Sequence, residues 1–283
     1  MATRAKKAEG LILLERPELI ELFVTYQNEA LAARKFLNSS LSDLEPGAEI
    51  LEVGGGVLAL AVQLASEGFK VTTVEPVGEG FTDISYIMDI FLEIAREEKI
   101  VFALINSPIE DCTFDLKFDF IFSINVMEHL KDPYSVLIQM AQNLKAGCFY
   151  RFFCPNYDFP YEPHFGKWLG LRSEKAFFLP QHRAVSTLIP EREIQGLYSS
   201  LNFLTLKKIK QGIKHRNILL SANNNSLYEV MNRSIYDSEL KKRHKGLTIL
   251  VRFLFFLKLH YLAKLVPVNY QPIMDVKINL SSN

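Results

Sequence analysis

Apolar and polar residues fall along this chain in two kinds of block. Short aliphatic runs predict strands at Ile50–Val53, Lys70–Val74, Ile100–Leu104, Phe118–Ser123 and Cys148–Phe153. Between them, apolar residues three or four apart predict helices over Val57–Ser66, Asp83–Glu98 and Pro133–Leu144. This alternation is the pattern of an α/β fold: a doubly wound, mostly parallel sheet with helices on both faces. Upstream, a ragged, basic and alanine-rich start is followed by Pro17–Phe36, where Leu19, Ile20, Phe23, Ala30 and Leu31 share a helical face opened by proline. That helix is expected to precede the sheet and lie across a ligand mouth.

The most informative stretch joins the first two strands. Glu49-Ile50-Leu51-Glu52-Val53 runs into Gly54-Gly55-Gly56, and Val71-Thr72-Thr73-Val74 ends on Glu75. Where side chains are nearly absent, backbone N–H groups and the next helix N-terminus can approach a ligand closely. A carboxylate about 20 residues beyond such a turn is placed to accept the hydroxyl hydrogens of a ribose. Gly54, Gly56 and Ala59 also satisfy the spacing of a dinucleotide-binding turn, so the turn alone leaves a nicotinamide-dependent oxidoreductase open.

The stretch resembles the first two motifs of the class I S-adenosylmethionine-dependent methyltransferases, which carry acidic-x-Gly-x-Gly-x-Gly. Glu52, Gly54 and Gly56 match, and Leu58 stands at the third glycine. Phe118–Leu130, Asp132-Pro133 and Leu144–Gly147 are similar to the strand-four to strand-five segment of the small-molecule members. The resemblance covers roughly residues 40 to 221 and implies a Rossmann-like seven-stranded sheet with an antiparallel last strand, expected from Leu204–Ile209 and Ile213–Leu220. It implies S-adenosylmethionine as cofactor, with Glu52, Gly54, Gly55 and Gly56 at its amino-acid end, Glu75 on the ribose, Ile109 against the adenine and Asn125 at the sulfonium. No third strand-helix half follows strand five, which favours the methyltransferase over a dehydrogenase.

Methyl transfer to a hydroxyl requires an in-line nucleophile and a base. His129 is one candidate base and His164 the other; a loop-fixing or helix-capping histidine is the ordinary alternative. A magnesium-holding Glu-x-x-Glu-His segment would put its first glutamate at Asn125, so no metal is expected. The proline- and aromatic-rich stretch Cys154–Trp168 is read as an acceptor lid, with Tyr157, Tyr161 and Trp168 stacking on the acceptor and Glu162 among them. Its bland counterpart is a loop that packs a neighbouring helix.

Composition changes the picture only at the carboxyl end. The 283 residues are 48% hydrophobic with a formal net charge of zero, enough to bury a full core. Lysines and arginines nevertheless crowd the last third, and Leu247–Val266 is apolar around its whole helical circumference. Such a segment must cap the acceptor site, pair with another copy, or lie in lipid headgroups; its interrupting charges argue against a membrane span. No base-stacking module accompanies the basic charge, so no nucleic acid is expected. Cys112, Cys148 and Cys154 have no metal-ligand spacing and read as reduced thiols in a cytoplasmic protein, with peripheral membrane contact through residues 241–266 as a further expectation. The start is too short in apolar residues for a signal peptide. The expected organisation is a helical segment at 1–40, a cofactor-binding domain at 41–221 and a helical apolar and basic extension at 222–283. The expected activity is O-methylation of a small-molecule, glycan or lipid-linked acceptor. A non-catalytic cofactor-binding protein associated with membranes is the alternative.

Overall fold

The computed structural model describes residues 1–77, 82–159, 161–162, 167–168, 201–236 and 245–281, with backbone alone at 161–162, 167–168 and 245–247. Seven strands form one sheet: β1 Glu49–Val53, β2 Lys70–Val74, β3 Ala103–Ile105, β4 Phe118–Ile124, β5 Leu144–Pro155, β6 Ile218–Ala222 and β7 Ile273–Leu280. Their order is β3-β2-β1-β4-β5-β7-β6. β1 pairs in parallel with β2 and β4, and β2 with β3, whereas β6 and β7 run antiparallel. The fold is therefore the Rossmann-like, mostly parallel sheet with an antiparallel last strand that the sequence implied.

Two compact units are distinguishable in the chain. The first comprises residues 1–124 and 139–150, the second essentially 125–138 and 151–281. In the first, helices α1 Ala2–Glu15, α2 Ile20–Leu41, α3 Ala59–Ser66 and α4 Thr82–Glu97 pack with the parallel strands. α4 buries Ile87, Met88, Phe91, Ile94 and Ala95, the three-and-four spacing of one helical face. α2 does the same with Phe23, Gln27, Ala30, Ala33 and Leu37. β1 is buried from Ile50 to Val53, which explains its uninterrupted aliphatic character.

α1 is a helix over the stretch that reads as ragged and basic in the sequence. Only Ala8 and Ile12 are buried on it, too few to produce a legible stripe. Polar contacts anchor it instead: Arg4 donates to Glu98 at 2.7 Å, to Gln63 at 3.0 Å and to Ser66 at 2.9 Å. β3 also begins later than expected, at Ala103.

In the second unit α5 Pro133–Gln142 begins, followed by α6 Leu206–Gly212, α7 Ser226–Tyr236 and α8 Lys245–Phe256; residues 139–142 of α5 belong to the first unit. Of the antiparallel pair expected at 204–209 and 213–220, the first member is a misreading, whereas the second overlaps β6. Leu206–Gly212 is a helix, capped by Thr205, whose hydroxyl accepts from Lys208 N at 3.1 Å. The real pair sets Ile218 opposite Leu280 and Ala222 opposite Val276. β7 alternates in sequence, with Met274, Val276 and Ile278 buried, so its signal was present at the far end of the chain.

Buried polar groups bind β7 into this unit. Arg151 on β5 grips Asp275 with two hydrogen bonds of 2.9 and 2.8 Å, and both side chains are buried. Asn156 donates to the carbonyls of Val268, Asn269 and Gln271. Gln271 in turn donates to Asn224 and Val266 and accepts from Leu227 N. Among the described residues, no helix is long and apolar enough to cross a membrane.

Candidate functional site

The turn after β1 owes its shape to residues in left-handed conformations. Gly54 has φ 85°, Gly56 φ 53° and Leu58 φ 65°. Glycine adopts such angles without penalty; leucine pays about 1–2 kcal/mol. Gly54 N donates to Val74 O at 2.8 Å, tying the turn to the end of β2. Leu58 N then closes on Gly55 O at 2.8 Å, and Leu58 O accepts from Val62 N to open α3. The missing third glycine is therefore met by a strained, fully buried leucine rather than by a different turn.

Gly55 is required for another reason. A Cβ there would lie 2.3 Å from Thr73 Oγ1, closer than any real contact. The buried Thr73 hydroxyl sits in that gap and donates to Glu52 Oε2 at 3.1 Å. Burial pushes the Glu52 carboxyl up to about 8, the Thr73 hydrogen bond opposes the shift, and the charge of Glu75 adds to it. Glu75 Oε2 accepts from Gly56 N at 2.8 Å. Its pKa is also raised by burial, against the opposing pull of the Gly56 and Gly55 N–H groups. The structure thus brings Glu52, Gly54, Gly55, Gly56 and Glu75 together, with two carboxyl groups beside a bare backbone cradle.

Helix α2 adds residues that sequence reasoning did not single out for the site. The Tyr26 ring lies 3.7 Å from where a Gly56 Cβ would stand. Gln27 follows it, buried on the core-facing stripe, with neither amide atom partnered among the described residues. Thr73 was likewise missed; a threonine in a strand carries no signal until the glycine opposite is known. Ile109, expected against the adenine, is buried in a single 3-10 turn after β3. The loop before it is fixed to the end of β2, since Glu75 N donates to Ile105 O at 3.1 Å and Val77 N to Asn106 Oδ1 at 2.7 Å.

In the second unit, Asn125 follows β4 at φ 56°, exposed, with its N–H donating to Phe153 O at 2.8 Å. Asparagine tolerates this conformation better than most residues. Met127–His129 form one 3-10 turn, with Glu128 buried and His129 half-buried. Asn202 holds that turn from outside: its Nδ2 donates to Met127 O at 2.7 Å and Leu130 O at 2.9 Å, and its N to Glu128 O at 2.8 Å. His129 therefore stands on a fixed backbone. Nothing in the sequence marked Asn202 for this task, because it lies more than 70 residues from its partners.

Tyr157, expected to stack on an acceptor, is buried and meets Phe203 edge-to-face at 5.2 Å. Tyr161 pairs with Trp168 and Glu162 with Lys167 as a short antiparallel ribbon of backbone. His164 lies outside the described residues. Cys154 is buried, which drives its thiol well above the usual range.

Comparison with known proteins gives this geometry its context. Residues 24–207 match the family described as methyltransferase domain. An uncharacterized protein of Mycobacterium tuberculosis is 38% identical over 264 residues, covering 93% of this chain and 89% of that one. A ubiquinone biosynthesis O-methyltransferase of Rickettsia bellii is 27% identical over 107 residues, 38% of this chain and 40% of that one. Among solved structures, phosphoethanolamine N-methyltransferase 2 of Haemonchus contortus, in complex with S-adenosyl-L-methionine, shares the fold with a TM-score of 0.50 and 16% identity. That alignment covers 90% of this chain but only 53% of the nematode protein, so this chain spans about half its length. With residues 24–207, about two thirds of its length, matched by the methyltransferase domain, the chain belongs to the class I S-adenosylmethionine-dependent methyltransferases.

Proposed function

We propose that the protein transfers a methyl group from S-adenosylmethionine to an oxygen of a small-molecule, glycan or lipid-linked acceptor. The observation that carries this reading is a turn that admits no side chain at Gly55 and carries two carboxyl groups, Glu52 held by Thr73 and Glu75 held by Gly56 N. The donor set fits the cofactor: bare backbone gives close approach, and two carboxyl groups accept from ammonium and ribose hydroxyls. Both carboxyls are held more protonated than in water, a cost that a cationic ligand beside them relieves.

When bound, S-adenosylmethionine supplies an electrophilic methyl carbon. Glu52 with Gly54, Gly55 and Gly56 is assigned to its amino-acid end, Glu75 to its ribose, Ile109 to its adenine and Asn125 to the sulfonium side. The protein must also take the proton that a hydroxyl acceptor releases. His129 is suited to this, because the Asn202 hydrogen bonds hold its turn in place. His164 is the alternative base, and Tyr157, Tyr161, Glu162 and Trp168 are assigned to the acceptor. Oxygen as the methylated atom is supported by the partial similarity to the Rickettsia O-methyltransferase.

Calorimetric titration with S-adenosylmethionine and, separately, NADH tests the cofactor. Binding of the first alone is expected; binding of NADH alone, or of neither, refutes the reading. Transfer of a labelled methyl group into acceptor extracts, with the bond type read by alkaline and acid stability, tests the oxygen assignment. His129→Ala should abolish the transfer while leaving cofactor affinity unchanged.

A further inference from the structure

Helix α8 is apolar on the side where a surface helix is ordinarily polar. Val251 is buried against Met231 and Ala263, with Leu254 and Phe255 packed beside it. At 100° per residue, Ile249, Leu250, Phe253, Phe256 and Leu257 fall on the other side, within an arc of about 120°. All five are exposed, Ile249 by 70% and Phe256 by 82%. The 3-10 helix Leu259–Leu265 repeats the pattern, since residues three apart eclipse one another in that geometry. Leu259, Leu262 and Leu265 form one exposed ridge, while His260 and Ala263 face inward. Scattered exposed leucines need no explanation, but two consecutive apolar rows mark a surface that meets something.

Charge identifies the occupant. Between Leu240 and Met274 there are seven lysines and arginines and no aspartate or glutamate. Arg252 and Lys258 are exposed beside the apolar rows, and the Lys264 ammonium lies 4.3 Å over the Tyr228 ring. A second copy docking on this face would bring like charges together, an arrangement that opposes self-association. Apolar rows rich in leucine and phenylalanine, with the exposed Arg252 and Lys258 beside them and no acidic residue in the sequence between Leu240 and Met274, match an anionic bilayer surface, where side chains enter the acyl boundary and cations meet headgroups. We propose that residues 249–265 dock the protein on anionic membranes, lying in the interface rather than crossing it. This stands independently of methyl transfer.

The test is co-sedimentation of the full chain with phosphatidylcholine vesicles, with and without phosphatidylserine, at low and high salt. Binding is expected only to the anionic vesicles, weakened by salt. Phe253→Ser/Phe256→Ser and, separately, Arg252→Glu/Lys258→Glu should each weaken it about tenfold or more. Because these side chains face solvent, the melting temperatures should stay at the wild-type value, which separates lost docking from lost folding. Three results overturn the proposal: no binding to anionic vesicles, equal binding to neutral ones, or a concentration-dependent dimer by light scattering that Phe253→Ser/Phe256→Ser abolishes. The last would assign the face to a second copy.

Discussion

Glu75 Oε2 accepts a hydrogen bond from Gly56 N at 2.8 Å, so the carboxylate proposed for the ribose also holds the glycine turn in shape. Its two oxygens allow both tasks, because an ionised carboxylate offers about four acceptor positions. Glu75→Ala should therefore lose S-adenosylmethionine affinity and some stability together, about 1–3 kcal/mol of the latter from the orphaned N–H groups. Glu75→Gln keeps one acceptor oxygen for Gly56 and should hold the melting temperature closer to wild type, while affinity still falls about tenfold or more. Titration calorimetry and thermal melts on the same preparations check the split. Unchanged affinity in both variants would remove Glu75 from the site.

Leu58 offers a test that inverts the ordinary helix ranking. A leucine at φ 65° is strained, yet its side chain is fully buried at the start of α3. Both Leu58→Ala and Leu58→Gly empty that space, at about 2–5 kcal/mol. Glycine additionally releases about 1–2 kcal/mol of left-handed strain, whereas alanine retains it. Urea unfolding should thus find Leu58→Gly no less stable than Leu58→Ala, although glycine is about 1 kcal/mol worse within a helix.

How much of this was legible in sequence depended on how far apart the partners lie. β2 was read to the residue at Lys70–Val74, and the cradle was readable because Glu52, the glycines and Glu75 fall within a single strand-turn-helix-strand unit. Leu58 was noticed as a departure, but its left-handed angle follows only from the hydrogen bonds on either side. Thr73, Asn202 and Gln271 act through contacts to distant carbonyls or carboxylates, and no local pattern marks them. The last strand pair failed differently. Apolar residues in Leu204–Ile209 fit either period, and the Thr205 cap decided for helix. The alternation of β7 was overlooked because the strand lies beyond the apolar tail.

Arg151 and Asp275 join β5 to that late strand through a buried, two-pronged ion pair, which Asn223 Nδ2 supplements at 2.8 Å to Asp275. Removing one partner leaves the other charged and buried, a loss of about 3–5 kcal/mol. Arg151→Met should destabilise by that order, and Arg151→Met/Asp275→Leu should recover much of it, since an apolar pair of similar volume costs no desolvation. A double-mutant cycle by chemical denaturation measures the coupling. Additive losses would mean that the pair acts only through packing.

Glu52 gives the protein a pH signature of its own. Its carboxyl is raised from 4.5 to about 8 by burial, so the folded state binds a proton that the unfolded state releases. For an acid shifted upward, the stability is fully present below the unfolded value and is lost as pH rises through the folded one. The window therefore runs from about pH 4.5 to about pH 8, and the total is on the order of 5 kcal/mol. Glu52→Gln imitates the protonated form at every pH and leaves Thr73 an oxygen to donate to. It should match wild type near pH 5, exceed it at pH 8, and flatten the difference between the two. The gain in stability should accompany weaker S-adenosylmethionine binding, because an amide cannot ionise to meet an ammonium group. Urea unfolding at both pH values and calorimetry at the higher one decide the matter: a variant equally destabilised at pH 5 and pH 8 would show that Glu52 is ionised in the fold, contrary to its burial.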